Sequence, residues 1–143
     1  MKKIVIIIIT IVLVLTVIIG FNIYSYQQRL KTIAKNNKTY ESFYNVEVLG
    51  TDVASLINKI IDSNTKNNIK KDKNGKYVED NNEKLILLNI KFLELDEVIS
   101  IEAIEKQGVD QFIKNFGAIT FKCTQIQYYP NTKGIKFMYF EEV

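Results

Sequence analysis

Histidine and tryptophan are absent from this 143-residue chain, and cysteine occurs once, at Cys123. Without histidine, the commonest general base at neutral pH is missing. With one cysteine, no internal disulfide can close and no Cys/His cluster can hold a metal. Cys123 reads as a small buried apolar residue on a strand rather than as a nucleophile. The serines have no partner base. No glycine-rich phosphate loop occurs either, because Lys73-Asn-Gly-Lys76 is a turn. The carboxylates are scattered over Glu79-Asp80, Asp96-Glu97, Glu102, Glu105, Asp110 and Glu141-Glu142, each beside a loop or on an expected wet face. These absences point away from an enzyme and towards a chain that needs neither cofactor nor metal.

Acidic residues are also absent from the first 39 positions, which carry Lys2, Lys3, Arg29, Lys31, Lys35 and Lys38. That segment is therefore +6. The other 13 basic and 16 acidic residues leave −3 on residues 40–143, so the overall +3 hides a mildly acidic C-terminal part. The charge balance argues against a nucleic-acid role, since the part long enough to fold has no net positive charge.

What the N-terminal part does have is an apolar run. Residues 4–19 read IVIIIITIVLVLTVII, and only Thr10 and Thr16 are polar. Extended to Tyr24, the run crosses a hydrocarbon core of about 30 Å at roughly 1.5 Å per residue. In lipid the backbone has no other partner, so the segment must be helical despite its β-branched composition. Tyr24 and Tyr26 fall where an interfacial aromatic belt would lie. A cleaved signal peptide would have a shorter run and a small-x-small site, which Gly20-Phe-Asn-Ile-Tyr-Ser does not offer. No cysteine follows for lipoprotein processing. The expectation is a retained signal-anchor in the cell membrane, single-pass, with a cytoplasmic N-terminus and an extracytoplasmic head. Lys2 and Lys3 favour that orientation, whereas the four basic residues after the run favour the reverse.

Beyond the run, Ile23, Tyr26, Leu30, Ile33, Asn37, Tyr40 and Tyr44 are spaced as a heptad seam, uninterrupted by glycine or proline over 21–49. Apart from Asn37 the seam is apolar or aromatic. Two readings are open. The seam self-associates or packs in an assembly with Asn37 setting its register, or it packs on the chain's own C-terminal sheet.

Gly50 is expected to end this stem or the turn after it, with Thr51 as an N-cap for an amphipathic helix striped by Val53, Leu56, Ile57, Ile60 and Ile61. Asn74-Gly75 signals a hairpin within 69–78. Residues 85–95 are apolar on both faces and read as a central strand. Helical spacing returns over 97–116, broken at Gly108. Residues 118–129 and 135–139 alternate as strands, with a bulge where Ile126 and Tyr128 switch face. The expected fold class is α+β. A transmembrane helix (1–24) continues into an amphipathic stem (25–49). A head (50–143) then packs an antiparallel sheet of about five strands against two helices. The candidate interaction surface is Tyr128, Tyr129 and Tyr139 on the final hairpin, with Asn37 on the stem, because tyrosine brings contact area at low entropic cost.

A basic start, an apolar helix running on as an amphipathic stem, and a helix-plus-sheet head resemble the layout of type IV pilins and pseudopilins. Leu49-Gly-Thr-Asp-Val-Ala-Ser-Leu-Ile-Asn-Lys-Ile-Ile-Asp62 is similar to small Firmicutes membrane proteins associated with pilus-type gene clusters. The prepilin processing motif is not matched: Gly20-Phe21 follows the run instead of preceding it, and no glutamate comes before Glu41. The resemblance implies an accessory subunit of a pilus-like or secretion envelope assembly. Its partners would be the lipid bilayer and other envelope proteins, or a second stem. The alternative is an anchored extracytoplasmic module that binds a peptide or small ligand at the final hairpin.

Overall fold

A computed structural model describes residues 2–79, 81–93 and 97–143. Asp80, Leu95 and Asp96, which figure in the readings above, lie outside the described residues. The chain falls into two compact units, Met1–Lys35 and Asn36–Val143.

The first unit is a single helix and forms most of α1 (Lys2–Glu41). Thr10 Oγ1 donates to the Ile6 carbonyl and Thr16 Oγ1 to the Val12 carbonyl, at 2.9 and 2.7 Å, so the two polar residues of the run are satisfied by their own helix. Asn22 does the same with the Ile18 carbonyl. The run is long and apolar enough to span a membrane, and none of its side chains is buried in protein.

The second unit is α+β, as the sequence implies. Its elements are β1 (Glu47–Leu49), α2 (Gly50–Lys66), β2 (Leu87–Lys91), β3 (Val98–Ser100), α3 (Ile101–Gln107), α4 (Val109–Phe116), β4 (Thr120–Tyr128) and β5 (Ile135–Glu142). The sheet order is β1-β4-β5-β2-β3. Every pair is antiparallel except β2–β5, so the sheet is mixed and mostly antiparallel rather than wholly so. The parallel pair is joined by a long crossover through β3, α3, α4 and β4, as parallel neighbours require.

Several local expectations are corrected. The stem helix stops at Glu41 instead of reaching residue 49. Asn45 takes φ +57° and donates its N–H to the Cys123 carbonyl, and the β-branched stretch that follows becomes β1. Gly50 opens α2 instead of ending the stem. The cap of α2 is not the Thr51 hydroxyl. The N–H groups of Gly50 and Thr51 donate to the carbonyls of Ile119 and Gly117, so the α4–β4 loop satisfies the helix start. The segment 69–78 forms one isolated bridge, Lys71 to Tyr77, not two strands. Asp72 Oδ1 there accepts from the N–H of Asn74 and of Lys76, and of the two turn residues only Gly75 has positive φ. The hairpin is therefore present but short: this Asx-type turn is flanked by backbone bonds from the Asp72 N–H to the Lys76 carbonyl and from the Val78 N–H to the Lys70 carbonyl. The bulge in β4 is present, as a register shift between Cys123 and Gln125. A second shift, opposite Gln127 and Tyr128, sets the inward face of β5 at Ile135, Met138 and Phe140.

The core lies between one face of the sheet and α2, α3 and α4. Val53, Leu56, Ile57 and Ile60 of α2 and Ile101, Ile104 and Phe112 of α3 and α4 close over Leu88, Ile90, Phe121, Cys123, Met138 and Phe140. The end of α1 joins this same layer: Tyr40 is buried, and the Phe43 ring meets Phe140 edge-on at 6.3 Å. Phe92, Phe116, Phe112 and Phe121 stack in tilted and edge-to-face pairs at its far end.

Candidate functional site

Strand alternation determines which side chains face away from this core. Since Leu88 and Ile90 of β2 are buried, Leu87, Asn89 and Lys91 point to the other face. Their register partners on β5 are Phe137, Tyr139 and Glu141. From β4 come Lys122, opposite Glu141, then Gln125 opposite Tyr139 and Gln127 opposite Phe137. β1 adds Glu47, opposite Lys122. All three helices of the head belong to the core layer on the first face, so among the described residues no helix covers this second one. Its centre is aromatic, with the Phe137 and Tyr139 rings 6.2 Å apart. Both edge strands, β1 and β3, are three residues long. Short edges resist strand addition, which leaves the face, not the edge, as the surface available for contact.

The candidate residues of the final hairpin do not converge. Tyr139 lies on the uncovered face. Tyr129 is buried, and its hydroxyl donates to the Leu85 carbonyl at 2.9 Å. Tyr128 projects towards α1, and its hydroxyl donates to Glu41 Oε1 at 2.9 Å. Partial burial and the Glu41 carboxylate raise the pKa of that hydroxyl. Asn37 also binds within the chain. Its Oδ1 accepts from the Ile135 N–H at 3.1 Å, and its Nδ2 donates to the Lys133 carbonyl at 2.7 Å. Asn37 and Tyr128 thus fasten the end of α1 to the β4–β5 hairpin, Tyr129 fills the interior, and Tyr139 alone faces outward.

A second asparagine works in the same way and escaped the sequence reading. Asn64 of α2 is fully buried; its Nδ2 donates to the Ile86 carbonyl at 2.8 Å and its Oδ1 accepts from the Ile86 N–H at 3.0 Å. The side-chain amide mimics a neighbouring strand at the entrance to β2. The available signal was its position, one helical turn beyond Ile60 on the apolar stripe, where a polar residue needs a partner.

An open cleft of about 440 Å³ lies between the 71–77 turn and α3. Two of its ionisable groups, Lys71 and Glu105, pair with each other and with Tyr77. Lys71 Nζ sits 2.5 Å from Glu105 Oε1 and 4.6 Å from the centre of the Tyr77 ring, and the Tyr77 hydroxyl donates to Glu105 Oε2 at 2.8 Å. Burial, then the bond to Glu105, pushes the Tyr77 hydroxyl well above its ordinary range. This network ties the turn to α3. Burial likewise pushes the Cys123 thiol up to about 11, which leaves it protonated and poorly nucleophilic at neutral pH. Comparison with protein-family models, with curated proteins and with solved structures returns no match for this chain.

Proposed function

We propose that the chain is a membrane-anchored, non-enzymatic interaction protein, with a cytoplasmic N-terminus, α1 spanning the bilayer, and an extracytoplasmic head that acts through its uncovered sheet face. The observation that carries this reading is that the chain presents two uncovered surfaces of different kinds. One is a cylinder of exposed isoleucine, valine and leucine over residues 4–19, which suits hydrocarbon. The other is a sheet face with aromatics at its centre and charges beside them, which suits a protein partner. The specific form of the proposal is an accessory subunit of a pilus-like or secretion envelope assembly, which rests on the layout of the chain. Lys2 and Lys3 ahead of the run support the orientation.

The test has two parts. The chain is expected to stay in the pellet when membranes are washed with alkaline carbonate, and external protease on intact cells is expected to digest the head. Release into the wash would refute the anchor, and a head that survives untouched would reverse the orientation. Co-purification with other envelope proteins in mild detergent would support the assembly role.

A further inference from the structure

Across the strands of the uncovered face runs a row of four charges in register: Glu47 on β1, Lys122 on β4, Glu141 on β5 and Lys91 on β2. Their signs alternate, minus, plus, minus, plus. Among the described residues, the ion pairs of the head lie elsewhere and join no members of this row. We propose that this face is an interface between two copies of the chain, related by a two-fold axis that runs along the strands between β4 and β5. The inference rests on the interaction role proposed above and names the partner.

The charge order selects the partner and the axis. Rotation about an axis parallel to the strands keeps each row opposite itself but reverses its order. Glu47 then meets Lys91 of the second copy, and Lys122 meets Glu141, so all four positions oppose a charge of the other sign. An axis across the strands through this row would set each charge against its own copy, which is repulsive at every position. The same operation along the strands brings Phe137 of one copy over Gln127 of the other and Tyr139 over Gln125, and packs aromatics at the centre of the contact. Two sheets packed face to face stand about 10 Å apart, a span that lysine and glutamate side chains reach together. The other route to self-association is partly closed, because Asn37 and Tyr40 of the stem seam are taken up inside the head. The row consists of charged groups that lose water on contact, so it acts by fixing register more than by adding affinity.

Photo-crosslinking of the full chain in its native membrane tests this, with a benzophenone-bearing phenylalanine analogue placed at Tyr139. The expected product has twice the mass of the chain. A product of any other mass overturns the self-contact and leaves the interaction role standing, whereas no product at all overturns both. Charge swaps of unchanged net charge then read the axis. E47K/K122E opposes like charges at all four positions and is expected to cut the doubled product by about tenfold or more, whereas K122E/E141K restores every opposition and keeps it. Should E47K/K122E fail to fold, K91E against its rescue E47K/K91E asks the same question. Equal yields within either comparison overturn the proposed axis.

Discussion

Asn64 and Asn37 illustrate how much a single side chain decides in this head. Each presents its amide as though it were one more residue of a neighbouring strand, and each closes both bonds. Asn64→Ala leaves the Ile86 N–H and carbonyl buried without partners, at about 1–3 kcal/mol each. Its melting temperature is expected to fall by roughly 10 °C or more in a thermal scan of the detergent-solubilised chain. A fall of only a degree or two would mean that water replaces the amide. Glu83 provides a pH-dependent counterpart. Its own desolvation opposes ionisation, but the Thr132 backbone and hydroxyl and then Asn131 bond the carboxylate and hold its pKa below the usual 4.5. A lowered carboxylate pKa stabilises the fold above the unfolded value and ceases to do so as pH falls through the folded one. Glu83→Gln is thus expected to be less stable than the parent at neutral pH, and the two should converge well below pH 4.5. Parallel melting curves at every pH would disprove the linkage.

At the scale of elements, the amphipathic stripe of α2 was legible because five apolar residues recur at helical spacing, and the break between α3 and α4 was legible at Gly108, which takes φ +94°. The bulge in β4 was legible from the face switch at Ile126. Less legible were β1 and β3. Each is three residues long and exists only because a longer strand offers it a ladder. The start of α2 shows the same dependence. Gly50 lies so close to the end of α4 that an added Cβ would intrude on the Phe116 carbonyl and the Gly117 Cα. Glycine is therefore required there for close approach, not for a special dihedral. Gly50→Ala is expected to destabilise the head by about 1–3 kcal/mol through overpacking. Amide exchange should quicken at positions 50 and 51, whose N–H groups donate to the Ile119 and Gly117 carbonyls. An unchanged exchange pattern would show that α4 yields without cost.

For the whole molecule, the division of labour follows from how the two units satisfy their apolar surface. The α1 run holds no partner in protein and fits a bilayer, whereas the head closes a core on one face of a mixed sheet and leaves the other face open. Of the candidate interaction residues, only Tyr139 reaches that open face; Tyr128, Tyr129 and Asn37 serve the packing of the hairpin. The reason is geometric. A strand shows alternate residues to opposite faces, and two register shifts between β4 and β5 reassign which ones, so a run of tyrosines in sequence scatters in space.

The sequence by itself determined the apolar span, the α+β class, the amphipathic helices and the separation of basic from acidic character. These depend on composition and on local periodicity, which a single segment carries within itself. Only the tertiary structure decided that β2 and β5 run parallel, that Asn37 and Asn64 stand in for strands, and that Glu47, Lys122, Glu141 and Lys91 form one alternating row. Those four residues are dispersed over 95 positions of sequence, from 47 to 141, and no local pattern relates them. Strand order and register place them side by side, and both depend on non-local pairing that the whole core must close before it exists.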